Sequence, residues 1–114
     1  MSFNVPATFD VRAISDGDRA VLLLEGELDF SVAPRARAAV ESSSPDARTL
    51  VIDLRGLTFM DSSGIHLLIK AREHCRASGR TLLVVRGNAR VHRGLVALGL
   101  EDELQFVDGP LVPA

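Results

Sequence analysis

The sequence predicts a single α/β domain built on a mixed, mostly parallel β-sheet, with an antiparallel hairpin at its N-terminal side and helices as crossovers. Three observations predict it. An alternating run and an aliphatic run flank Asp16-Gly17; strand-like runs then alternate with helical stripes; and the hydrophobic period changes from 2 to 3.6 at Asp61-Ser62-Ser63-Gly64. A chain of 114 residues suits one domain, 1–114, with its core over about 8–108 and a short irregular tail, 109–114.

Phe9, Val11 and Ala13 alternate with Asp10 and Arg12, the pattern of a half-buried strand. Asp16-Gly17 offers the left-handed backbone of a tight reversal, so the next strand returns antiparallel. That strand, residues 20–24, is uninterrupted aliphatic and belongs inside the sheet, and Gly26-Glu27-Leu28-Asp29 closes it. A helix is predicted to begin near 31–34, with Ser31 as cap and Pro34 in the first turn. Val32, Ala36, Ala39 and Val40 give it a narrow stripe of small apolar residues, and Ser42-Ser43-Ser44-Pro45-Asp46 ends it.

Leu50, Val51, Ile52 and Leu54 form the aliphatic run of a strand covered on both faces. A short turn, Gly56-Leu57-Thr58-Phe59-Met60, leads to Asp61, whose side chain is suited to cap a second helix over about 63–78. Ile65, Leu68, Ile69 and Cys75 mark its buried face, and Gly79 its stop. Residues 81–85 read as a third buried strand. Gly87-Asn88 turns into a helix on which Val91, Leu95 and Leu98 share a face, and Gly99-Leu100 ends it in the manner of a Schellman motif. Gln105, Phe106 and Val107 make a last short strand before Asp108-Gly109-Pro110.

Composition narrows the function. A net charge of −2, twelve scattered Arg, one Lys and no Trp or Tyr give no basic footprint or stacking platform for nucleic acid. The N-terminal residues lack the charged start and apolar core of a secretory signal, and no apolar run reaches the length that spans a bilayer, so a cytoplasmic protein without membrane insertion is expected. A single cysteine, Cys75, excludes an internal disulfide and lies on the helix stripe as a packed thiol. His66 and His74 have no grouped partners for a metal site, so no metal and no cofactor are expected.

Catalysis finds no support. The only lysine, Lys70, is within a helix and not in a phosphate-binding loop, and no Gly-x-Gly-x-x-Gly follows a strand. Ser62 lacks the Gly-x-Ser-x-Gly of a nucleophile elbow, because Met60 stands where the first glycine belongs. The chain is read as a non-enzyme, with no catalytic residues.

Taken alone, Asp-Ser-Ser-Gly before an aliphatic helix is an ordinary helix cap. The whole string, strand, Gly-Leu-Thr-Phe-Met, Asp-Ser-Ser-Gly, aliphatic helix, closely resembles the central motif of the STAS domain, in particular the bacterial anti-sigma factor antagonists. The Gly26-Glu27-Leu28-Asp29 string and the Val-rich helix ending in Gly99-Leu100 are similar to the family at the same places. The resemblance covers roughly residues 8–108. It implies that Ser62 is the residue phosphorylated by a partner kinase and that Asp29 lies on the same rim. On the residues alone, Asp29 is equally well read as a solvated loop acid that helps start the next helix. The chain departs from the family after Pro110: antagonists of this type continue into a C-terminal helix, whereas four residues, too few for a helix in water, follow here.

The resemblance further implies a partner-switching regulator. The unmodified protein binds an anti-sigma factor serine kinase, which holds ATP, and so frees the sigma factor; phosphorylation of Ser62 blocks binding, and a serine phosphatase restores it. Asp29, Met60, Asp61, Ser63, Gly64 and Asn88 would frame the contact surface, with Gly64 leaving room for close approach to Ser62. An alternative keeps the fold and drops the switch: a small-ligand or nucleotide sensor, or an accessory subunit of a transporter or stress-signalling assembly, with the Gly87-Asn88 loop as one wall of a ligand site.

Overall fold

The computed structural model describes residues 9–111. Its order is β1 (Phe9–Asp16), β2 (Arg19–Leu28), α1 (Ala33–Glu41), β3 (Thr49–Met60), α2 (Ser62–Ala77), β4 (Thr81–Val85), α3 (Ala89–Ala97) and β5 (Phe106–Val107). The five strands lie side by side in sequence order; β1 is antiparallel to β2 and the other pairings are parallel. Each parallel step is made by one helix, as the mixed sheet with an N-terminal hairpin requires.

Alternation along the strands divides the apolar residues between two faces. Leu22, Leu24, Leu50, Ile52, Leu54 and Val84 point to one face and are buried under Ala36, Val40, Leu67, Leu68, Ala71, Val91 and Leu95 of the helices. Val21, Val51 and Val85 point to the other, where no helix lies over them among the described residues; Leu111 packs there. Residues 109–111 cross this second face. A Cβ on Gly109 would stand 2.6 Å from Val85 Cγ1 and 3.1 Å from Arg55 Nε, and Arg19 Nη2 donates to the Leu111 carbonyl at 2.7 Å. Residues 109–111 are thus irregular and held, and the rest of the expected tail, 112–114, lies outside the described residues. Asp53, 4% exposed on the same face, accepts from the Arg55 backbone N–H at 3.0 Å and from its guanidinium at 2.8–3.2 Å, which pairs a carboxylate that the strand would otherwise bury alone.

Three expectations are corrected. The segment Gly56–Met60, read as a turn, is strand: β3 runs on to Met60 because β2 also continues to Leu28 and pairs with it. The register shifts between Leu23 and Glu25 and again between Gly26 and Glu27, and Gly56 permits the close approach, since a Cβ there would lie 2.7 Å from the Leu24 carbonyl oxygen. Ser31 does not cap α1. Val32 is the N-cap and makes no side-chain bond, while Ser31 Oγ donates to Asp29 Oδ1 at 2.6 Å. Leu98 is 62% exposed rather than sharing a face with Leu95. It caps α3, and the turn through Gly99, φ 74°, brings Leu100 over Leu95 in its place, with the Leu100 N–H donating to the Leu95 carbonyl at 3.0 Å.

Candidate functional site

The site is the start of α2, where β3 gives way to a helix at the edge of the sheet. Leu28 pairs with Met60 at the ends of β2 and β3, so the residues that follow them, Asp29 and Asp61, come to the same edge. Asp61 is extended (φ −100°, ψ −168°), and its carboxylate accepts from the Ser63 N–H at 2.8 Å, filling one of the partnerless donors of the first turn. Its carbonyl accepts from Gly64 N at 3.0 Å, and its own N–H donates to the Leu28 carbonyl at 3.2 Å, which fixes the helix to the neighbouring strand.

Ser62, the first residue of α2, is exposed. Ser63 is half-buried and lines a groove of about 330 Å³ with Phe30, Ala33, Pro34, Leu67 and three basic residues, Arg37, His66 and Lys70. Gly64 is buried, and the direction its Cβ would take is filled by the Met60 side chain, with Leu28 Cδ2 at 3.0 Å. The clearance this glycine provides therefore serves Met60 inside the protein and not an incoming molecule.

Asp29 starts α1. Its carbonyl accepts from Val32 N at 3.2 Å and Ala33 N at 2.9 Å, and its carboxylate from Ser31 N at 2.9 Å and Ser31 Oγ. The Ser31 hydroxyl holds the Asp29 carboxyl below its ordinary pKa; desolvation opposes this and backbone donors add to it, so the group is charged at neutral pH. Asn88 is tied into the fold at both ends of its amide: Oδ1 accepts from Val91 N at 2.9 Å to cap α3, and Nδ2 donates to the Leu57 carbonyl at 3.1 Å. Gly87 is packed as closely, with Leu54 O 3.0 Å from where its Cβ would be, so this loop is closed down on β3 instead of standing as an open wall.

One residue of this edge had not been singled out. Phe30 is 76% exposed between Asp29 and the groove. Its signal in the sequence is a phenylalanine that fits neither the aliphatic strand before it nor the small-residue stripe after it.

The STAS domain model matches residues 10–110, and the chain belongs to this family. It is 26% identical over 87 residues to a STAS-domain containing protein of Pseudomonas aeruginosa, covering 76% of this chain and 86% of that one. It is 36% identical over 70 residues to an anti-sigma F factor antagonist of Lysinibacillus sphaericus, covering 59% and 60%. In fold it is similar to the anti-sigma factor antagonist SpoIIAA solved in its unphosphorylated form (TM-score 0.72, 22% identity, 90% of this chain and 89% of that one). The same holds for the phosphorylated form of the Bacillus protein (TM-score 0.67, 21% identity, 90% and 92%). Among the described residues, no helix is long and apolar enough to cross a membrane.

Proposed function

We propose that this chain is an anti-sigma factor antagonist whose unmodified form binds an anti-sigma factor serine kinase and whose phosphorylation at Ser62 ends that binding. The observation that carries this reading is an exposed seryl side chain on the first residue of a capped, sixteen-residue helix, set on an edge that also exposes Phe30. An aromatic anchor beside a small polar turn suits a protein contact: aromatic side chains supply much of the binding energy at interfaces. Asp29, Met60, Asp61 and Ser63 surround Ser62 in this reading. Gly64 contributes from beneath, by seating Met60, and Asn88, which is exposed, by capping α3.

Phosphate at Ser62 adds about −1.5 to −2 charges. In the free protein it would lie in water at a helix N-terminus, where partnerless N–H groups favour an anion. In the complex it would have to be desolvated beside Asp61 and against a surface shaped for a hydroxyl. A hundredfold loss of affinity corresponds to about 2.7 kcal/mol, which one misplaced dianion supplies. The kinase contributes the ATP, and a serine phosphatase reverses the modification.

The test is titration calorimetry of the cognate kinase with Ser62→Ala and Ser62→Asp. The alanine protein should bind tightly and resist phosphorylation, and the aspartate protein should bind at least tenfold more weakly. Equal affinities for the two would overturn the reading, and phosphopeptide mapping to Ser63 or Thr58 would move the site.

A further inference from the structure

Among the described residues β1 has one neighbour, β2, and its outer edge is unpaired over eight residues that contain no Pro, no Gly and no break in register. We infer that this edge pairs with the β1 edge of a second copy of the chain, antiparallel about a two-fold axis at Val11, so that two five-stranded sheets join into one.

The hairpin decides which backbone groups are free. Only Gly17 and Asp18 lie between the paired residues Asp16 and Arg19, so this closing pair exchanges its hydrogen bonds directly. Pairs in an antiparallel ladder alternate. Asp10, Arg12, Ile14 and Asp16 therefore bond to β2, whereas Val11, Ala13 and Ser15 turn their N–H and C=O groups outward. The Phe9 carbonyl is outward by the same alternation, and Arg35 Nη1 donates to it at 3.4 Å. Identical edges related by a two-fold axis meet antiparallel, and outward residues must meet outward residues, so the axis passes through one of these four positions.

Charge selects among them. About Val11, Asp10 of each copy lies opposite Arg12 of the other, in the non-hydrogen-bonded pairs whose side chains stand closest. Val11 meets its own copy, and Phe9 meets Ala13. About Ala13 the overlap is longer, but Asp10 would oppose Asp16 and Arg12 would oppose Ile14, so no charge finds its opposite. About Phe9 or Ser15 the described strands hardly overlap.

Charged side chains on an edge strand ordinarily keep it from pairing. That protection works by setting like charges together, and here Asp10 and Arg12 alternate in sign. The single chain also leaves Asp10 poorly placed: it stands directly opposite Glu25 on β2, and Arg12, 3.8 Å from Glu25, serves that carboxylate. Arg12 of a second copy gives Asp10 a cation of its own. Asp10, Arg12, Ala13 and Ser15 are all exposed. One strand pair is a small interface, in the class of weak contacts, so a dissociation constant of about 1 µM to 1 mM is expected. The axis sends the two Ser62 edges to opposite ends of the joined sheet, which leaves both open.

The experiment is sedimentation equilibrium of the full chain up to about 1 mM, the weak end of that range. A monomer–dimer equilibrium is expected. Arg12→Asp and Asp10→Arg, both at exposed positions, should each keep the parent's Tm and weaken the dimer at least tenfold, because like charges then face each other. An equimolar mixture of these two variants should restore the parent's affinity, since every position 10 again meets an opposite charge at position 12. Ala13→Pro removes an outward N–H that β2 does not use, and should abolish the dimer. A monomer at every concentration, a dimer indifferent to both charge variants, or a mixture no tighter than its components would overturn the pairing. So would Val11 and Ala13 amides protected from exchange independently of concentration, which would show the edge already covered within one chain.

Discussion

The first turn of α2 has two sides that answer opposite demands. Ser62 faces outward in solvent, whereas Gly64, two residues on, is buried against Met60 and Leu28. A charge added to the first changes only the surface; a methyl added to the second enters the core. The difference teaches how a switch can sit on a small domain: the altered atom stands one residue clear of the packing that holds its helix. The largest expected effect tests this separation directly. Ser62→Asp should lower affinity for the kinase by up to a hundredfold, about 2.7 kcal/mol, while its unfolding free energy stays within about 0.5 kcal/mol of the parent. Chemical denaturation alongside calorimetry checks both. A loss of stability equal to the loss of affinity would mean that the two sides are coupled.

Gly64→Ala presses on the inner side. Alanine is the better helix former by about 1 kcal/mol, but its Cβ would run into the Met60 side chain and stand 3.0 Å from Leu28 Cδ2. Overpacking of this kind costs about 1–3 kcal/mol. Methionine yields more readily than a branched side chain, so a net loss of about 1 kcal/mol is expected, and Met60→Ala in the same chain should relieve the collision. A double-mutant cycle of the two changes measures the coupling; additive effects would show that Met60 is not what Gly64 accommodates.

Much of this arrangement was legible in the sequence, and the reasons are local. Asp61 is a cap because short side-chain acceptors suit a helix start, and α3 ends at Gly99 because a left-handed residue is needed there. The antiparallel hairpin followed from Asp16-Gly17 between two apolar runs. What could not be read depends on partners distant in the chain. Gly56 looked like a turn residue, and only the course of β2 shows that it is strand pressed against the Leu24 carbonyl. Ser31 looked like a cap, but Asp29 takes its hydroxyl. The twelve arginines looked scattered, although the turn at Gly79 turns Arg80 inward, where its guanidinium donates to the Ala47 carbonyl and to Ser43 Oγ, partners more than thirty residues back in the chain.

Between the two sides of the turn stands the cap. Asp61→Ala removes the acceptor of the Ser63 N–H bond at 2.8 Å and should destabilise the domain by about 1 kcal/mol. Asp61→Asn keeps an acceptor in the same place and should recover most of the loss. For a domain of this size 1 kcal/mol moves Tm by roughly 4 °C, well within reach of a thermal melt. If asparagine fails to rescue, the charge of Asp61 rather than its hydrogen bond is what steadies the helix start.

The smallest effect is a control of opposite sign. Gly94 lies within α3 and is exposed, and a Cβ built there meets nothing within 4 Å. Gly94→Ala therefore gains the helix preference of alanine, about 0.5–1 kcal/mol, with no collision to offset it. Its Tm should rise by a few degrees, while kinase affinity remains that of the parent. The same substitution at Gly64 and Gly94 thus moves stability down in one helix and up in the other. Because the propensity gain is common to both sites, the difference between the two measured values isolates the cost of intruding on Met60. A fall in stability at both positions would place the penalty in the loss of glycine itself, and the inward packing of the first turn of α2 would no longer account for its buried glycine.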